Sequence, residues 1–346
     1  LPSINSYRIV RISSAELNRH KMQFTNHADI GVAAKIPTSL PTPVISYSPV
    51  ILPCPDRQVD LQLRVSVPAI GGALGIILLS HGHGPSNWLS SLEGYTPLAN
   101  FLAGHGFAVI QPTHLSSRSL GLPLDGSTVR HIFLESRAQD MMQILDRLDE
   151  VEAAAPLLLK GRLDRSKVAV VGHSLGALTA SVLLGVKNKD PRDGTQTQLK
   201  EPRIKTGVII GGTGNGGADM SENGQKLLPF YNPNFSDMDT PALVVWGEDD
   251  VSPHLTIRGA DWHADPYSLG PGPKASFLVK GGKHGFGGIS GWDAKETQDE
   301  SPERLAAVQR VIFAYLRSQL FDRDSAWDDA CKAVKGLPEL GKVETK

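Results

Sequence analysis

Runs of β-branched and apolar residues recur along the chain with helix-forming stretches between them. They are PVISYSPVIL (43–52), VDLQLRVSVP (59–68), GIILLSHG (75–82), FAVIQPT (107–113), KVAVVGHS (167–174), TGVIIGG (206–212), ALVVWGED (242–249) and SFLVKGG (276–282). From Gly75 onward each run is continuously apolar, as in strands covered on both faces of a parallel sheet. The second run instead alternates, with Val59, Leu61, Leu63, Val65 and Val67 on one face. That pattern predicts an antiparallel edge hairpin ahead of the parallel strands.

Helices fit the gaps. Ser301-Pro302-Glu303 reads as a serine N-cap followed by proline at the first helical position, after which Leu305, Val308, Ile312 and Leu316 repeat at helical spacing. Met141, Ile144, Leu145 and Leu148 mark an amphipathic helix within 130–150. The fold class expected is α/β, a mostly parallel eight-stranded sheet with helices on both faces. The polar run KNKDPRDGTQTQLKEPR (187–203) reads as a solvated excursion from one domain. Residues 41–322 are expected to form that domain, 1–40 an N-terminal extension whose first twenty or so residues add nothing to the fold, and 323–346 a partly helical tail.

Charge narrows the partners. With 35 Lys+Arg against 36 Asp+Glu, no net field points to nucleic acid or an anionic membrane. No apolar run approaches the ~20 residues that span a bilayer, and LPSINSYRIVRISSAEL lacks the apolar segment of a signal peptide. Cys54 and Cys331 are too few for a disulfide framework. Reduced thiols in a cytoplasmic protein are the expectation, with one bridge between them as the alternative.

The densest chemical signal is Gly172-His173-Ser174-Leu175-Gly176, where a β-branched run gives way to helix formers. Glycines two before and two after a serine suit a turn so sharp that a Cβ would collide there, and the turn lifts the hydroxyl clear of the sheet. A serine needs a base, and the base needs a group that fixes its tautomer. In such a fold these follow in the order serine, acid, histidine, past later strands. Gly247-Glu248-Asp249-Asp250 follows ALVVW, and Lys283-His284-Gly285 follows SFLVKGG. The Leu175 amide, opening the helix after Ser174, would supply one donor to an oxyanion.

With SHGHGPSN (80–87), GHSLGA (172–177), WGEDD (246–250) and GGKHGFGG (281–288), the sequence resembles the α/β-hydrolase superfamily over roughly residues 43–320. Within it the chain looks like the chlorophyllase-like, dienelactone-hydrolase-like and platelet-activating-factor-acetylhydrolase-like esterases. The resemblance implies an α/β-hydrolase fold and catalytic Ser174, His284 and Asp250, the acid three residues past the strand-end glycine, with Asp249 as second choice. It also implies that the His83 amide is the second oxyanion donor. Leu175 and Ala177 stand where chlorophyllases tend to carry arginine and glycine, which argues against chlorophyll.

Other residues invite readings of their own. His81-x-His83, with His173, suggests a metal site, yet no carboxylate or third histidine at ligand spacing completes it. No metal and no cofactor are expected, and His81 and His173 should brace the loop and the elbow. Gly212-Thr213-Gly214-Asn215-Gly216-Gly217 fits a dinucleotide fingerprint, but the Asn-Gly and two prolines that follow cannot open a long helix, so a loop at the rim of the site is expected. His114 and Arg118 stand past a strand end, where substrate contacts gather. Trp88 with Leu89, and Phe230 with Tyr231, are candidate pocket residues, ordinary packing being the alternative for the latter pair. The expected partner is a small-molecule ester and the expected activity is ester hydrolysis, lactones included. Acyl transfer or cyclisation on the same triad, or a non-catalytic receptor on the same fold, are the alternatives.

Overall fold

A computed structural model describes residues 30–123 and 128–346. The expectation for the first twenty residues lies outside them. Twelve strands occur among the described residues: β1 Val44–Leu52, β2 Leu61–Pro68, β3 Leu74–Ser80, β4 Phe107–Pro112, β5 Leu163–His173, β6 Lys187–Lys189, β7 Gln196–Thr197, β8 Ile204–Ile210, β9 Pro233–Asn234, β10 Ala242–Gly247, β11 Lys274–Val279 and β12 Gly341–Thr345. Nine form the main sheet, in the order β1-β2-β4-β3-β5-β8-β10-β11-β12. From β4 through β11 every pairing is parallel, and β1 and β2 form the antiparallel edge hairpin.

The sheet is therefore mostly parallel, with one strand more than the eight read from sequence. The ninth comes from the tail, where β12 pairs antiparallel with β11, Val343 opposite Phe277. The polar run after residue 186 also gains structure. Its β6 and β7 join β9 in a small second sheet, and Asn188 and Asp190 are buried. Asp190 is held by Arg130 and Arg192, so a run that looks solvated by composition is pinned by ion pairs.

Alternate residues of the central strands feed two cores. Ile76, Leu78, Val168, Val170 and Val244 face one side, with α2 (Ser136–Asp146) and α3 (Leu175–Leu183) packed on it. Ile77, Leu79, Val171, Val208, Ile210 and Val245 face the other, covered by α1 (Thr96–Gly104), α4 (Pro302–Leu320) and α5 (Ala326–Lys335). Helix α4 starts where its sequence says, the Ser301 hydroxyl accepting from the Arg304 amide at 3.2 Å. Cys54 and Cys331 are both free thiols. Among the described residues no helix is long and apolar enough to cross a membrane.

Candidate active site

Strand β5 runs straight into α3, and Ser174 sits at the junction with φ 56° and ψ −121°. A non-glycine residue there is strained and persists only when its surroundings hold it. Its amide donates to Ile210 O at 2.9 Å, and its carbonyl accepts from Ala177 N at 2.9 Å. The flanking glycines have a plain steric cause. A Cβ on Gly172 would lie 1.9 Å from Gly176 O, and one on Gly176 would lie 2.1 Å from Ser80 O. Strand, elbow and helix can approach this closely only without side chains at those two positions.

Past β10 the chain turns tightly, Asp249 N donating to Gly282 O and Asp250 N to Gly247 O. The turn buries Asp250 to 1% exposure and leaves Asp249 exposed. Both Asp250 oxygens face His284 Nδ1, at 3.1 and 3.0 Å. Nδ1 therefore carries the proton it donates, and Nε2 is left as the basic nitrogen. Burial alone would lower the His284 pKa, but the charge and hydrogen bond of Asp250 outweigh it and raise the pKa above the ordinary value. Asp250 shows the reciprocal balance: burial raises it, and His284 holds it net below the usual carboxylate range. The histidine loop reaches the elbow through His173, whose ring lies 4.8 Å from that of His284.

The sequence reading missed a second histidine on the same carboxylate. His263 Nε2 lies 3.5 Å from Asp250 Oδ1 and 3.3 Å from Ser252 Oγ, while its Nδ1 donates to Gly212 O at 2.6 Å. Burial lowers its pKa and keeps the ring neutral. It stands in a loop with no motif around it, and only the fold brings it to Asp250. Among the described residues, Asp250, His263 and His284 offer ligand atoms within 4.8 Å of one another and form a group able to hold a metal ion; His81 and His83 are not in it. The glycine-rich segment after β8 lies against the same cluster: a Cβ on Gly211, at φ 50°, would come within 3.2 Å of Asp250 Oδ2 and 3.3 Å of His284 Cε1.

Opposite stands the loop after β3. Among the described residues the amides of His83 and Leu175 have no hydrogen-bond acceptor. The peptide before His83 is held from both sides. His81 Nδ1 donates to Gly82 O at 2.7 Å, His81 Nε2 accepts from His114 N at 3.2 Å, and Arg137 grips His81 O. Because the Gly82 carbonyl and the His83 N–H belong to one peptide plane, holding the first directs the second. Arg137 is wholly buried, and that burial pulls its pKa down to about 9.

The residues expected to touch substrate are scattered. Trp88 is 45% exposed beside the histidine loop, its Nε1 donating to Ser290 O at 2.9 Å. His114 and Phe230 are both fully buried, which speaks against the substrate contact expected of them. A strand-end position was the whole argument for His114, yet its nitrogens are spent on Ser80 Oγ (2.9 Å) and Asp140 Oδ2 (2.8 Å). Phe230 packs into the core beneath the excursion after β8. Arg118 is exposed. A separate cavity of about 360 Å³, lined by Cys54, Arg57, Leu115, His131 and Asp140 among others, contains none of Ser174, Asp250 or His284.

A parallel sheet with an antiparallel lead-in, a strained serine at a strand-to-helix elbow, and an acid and a histidine past later strands define the α/β-hydrolase architecture. The alpha/beta hydrolase family model matches residues 76–329, and the chain belongs to that family. The comparison with curated proteins gave no match. Membership supports a hydrolase-type activity.

Proposed function

We propose that the protein is a serine hydrolase of carboxylic esters, lactones included, working through Ser174, His284 and Asp250. The observation that carries the reading is Asp250's bidentate hold on His284 Nδ1, beside a serine kept at positive φ. Ser174 Oγ attacks the ester carbonyl as His284 Nε2 takes its proton. The negative oxygen of the tetrahedral intermediate is met by the His83 and Leu175 amides, a pair of donors of which either typically contributes ~3 kcal/mol to lowering the barrier. Collapse breaks the carbon–oxygen bond to the alcohol, which leaves with the proton from His284. Water then attacks the acyl-serine, giving its proton to His284, and the acid departs as Ser174 regains its hydrogen. Asp250 stays ionised throughout and stabilises the imidazolium.

Turnover of a p-nitrophenyl ester and covalent labelling by a fluorophosphonate test this reading. The wild type should do both and Ser174→Ala neither. Equal labelling of the two would place the nucleophile elsewhere.

A further inference from the structure

A buried chain of hydrogen bonds joins the loop after β3 to the loop of His284 and passes through the residue before Ser174. Gly82 N donates to Tyr95 Oη at 3.0 Å; Tyr95 Oη lies 2.7 Å from His173 Nδ1; His173 Nε2 lies 2.8 Å from His284 O. The two ends fix every proton in it. An amide can only donate and a carbonyl can only accept, so His173 carries its proton on Nε2 and the Tyr95 hydroxyl donates to Nδ1. Both side chains are buried, and burial, with His284 adding to it, pushes the His173 pKa down to about 3. The ring therefore stays neutral and the chain has one arrangement.

Tyr95 is committed to this place. It is fully buried, its φ is 61°, and its amide donates to Ser290 O on the histidine loop. A Cβ on Gly82 would fall 2.8 Å from Tyr95 Oη and 3.2 Å from Ser174 Cβ, so hydroxyl, loop and elbow are in direct contact. A second tie runs in parallel at the surface, where Glu296 accepts from Ser86 N at 2.8 Å and Ser86 Oγ at 2.7 Å. The loops that would carry the oxyanion donor and the base leave different strands, and these bonds set their separation.

We propose that Tyr95 and His173 are positioning residues that hold the His83 amide and the His284 imidazole at the spacing a tetrahedral intermediate requires. The proposal rests on the serine-hydrolase reading. Tyr95→Phe removes one oxygen and leaves Gly82 N–H and His173 Nδ1 unpaired. The expected result is a fall in kcat of about 10- to 100-fold with KM changed less than about threefold, since misplacement by even ~1 Å can cost a hundredfold in rate. Affinity for a boronic acid, whose tetrahedral adduct needs the oxyanion donors, should fall in step with kcat/KM. Fluorophosphonate should still label one serine per chain.

His173→Gln retains an N–H for the His284 carbonyl and should keep more of kcat than His173→Asn. Tyr95→Phe combined with His173→Asn should be no slower than the slower single variant, as for groups acting as a unit. If Tyr95→Phe does not fold, the two His173 variants decide by the same readouts. Unchanged kcat in soluble, fully labelled variants would overturn the proposal, as would equal activity of His173→Gln and His173→Asn. A wild type that takes no fluorophosphonate and turns over no ester overturns the hydrolase reading, and this proposal with it.

Discussion

Two Ser–His–Asp series lie at the same end of the sheet. Ser80, His114 and Asp140 are linked at 2.9 and 2.8 Å, against 3.0 Å for the closer Asp250–His284 contact. By distance alone the first series is the tighter. Yet Ser80 ends an extended strand at 0% exposure, and Arg137 donates to its hydroxyl. Burial first, then Arg137, drives the His114 pKa well below the ordinary value, and both ring nitrogens are already engaged. Burial also raises Asp140 to about 6 despite its pairing with Arg57. In the other series the histidine side chain is a third exposed, its pKa is raised, and the serine stands on an elbow. An aspartate on histidine Nδ1 is common to a buried strut and to the proposed catalytic site; accessibility and the direction of the histidine's pKa shift separate them.

The sharpest way to break this comparison is to delete each hydroxyl. Ser174→Ala should lower kcat about a million-fold, as nucleophile removal does in a serine protease, whereas Ser80→Ala should keep full fluorophosphonate labelling. Labelling that survives the first change and vanishes with the second reverses the assignment. Next come the acids. Asp250→Asn should lower kcat about ten-thousand-fold through the wrong histidine tautomer, while exposed Asp249→Asn should change it little; steady-state rates at saturating ester decide, and a crippled Asp249→Asn variant moves the acid by one residue.

Asp140→Asn should act on folding instead, leaving Arg57 buried without a counter-charge at a cost of about 3 kcal/mol. Urea unfolding measures it, and an unchanged midpoint sinks the strut. A smaller effect concerns pH. The base must be neutral to work, so kcat/KM should fall as pH drops through the raised His284 pKa, with a midpoint above the ordinary ~6.5. Asp250→Asn should move that midpoint down; a wild-type midpoint below 6.5 contradicts the coupling. The smallest effect expected is from a chelator. The Asp250, His263 and His284 atoms that could ligate a metal are already engaged with one another, Ser252 and Gly212, so activity should survive prolonged EDTA. Loss restored by zinc would show that the trio binds metal.

Much of this was legible in the chain because local sterics and periodicity write themselves into sequence. Glycines at 172 and 176 announce the elbow, continuous apolar runs announce the parallel strands, and Ser301-Pro302 announces a helix start. What escaped depends on packing. GKVET is too short and polar to stand out, and it becomes a strand only because β11 offers a free row of backbone groups. Tyr95 and His263 carry no motif; what they do arises from the partners folding sets beside them, an amide and an imidazole for Tyr95 and a carbonyl and a carboxylate for His263. His114 misled because a strand-end position says nothing about exposure, and Phe230 because an aromatic in a polar loop can turn inward as readily as outward.

Both margins of the sheet are finished in ways that discourage other chains from pairing there. At one, β1 breaks register between Tyr47 and Val50, and Pro49 has no N–H to offer an intruding strand. At the other, β12 covers β11, whose apolar KASFLV would make an adhesive template, and turns Lys342 and Glu344 outward, paired with each other. A chain cut short of residue 340 would keep every residue of the proposed triad and lose this hem. Its hazard would be self-association into aggregates through the bared strand, a failure of solubility that no assay of the chemistry would foretell.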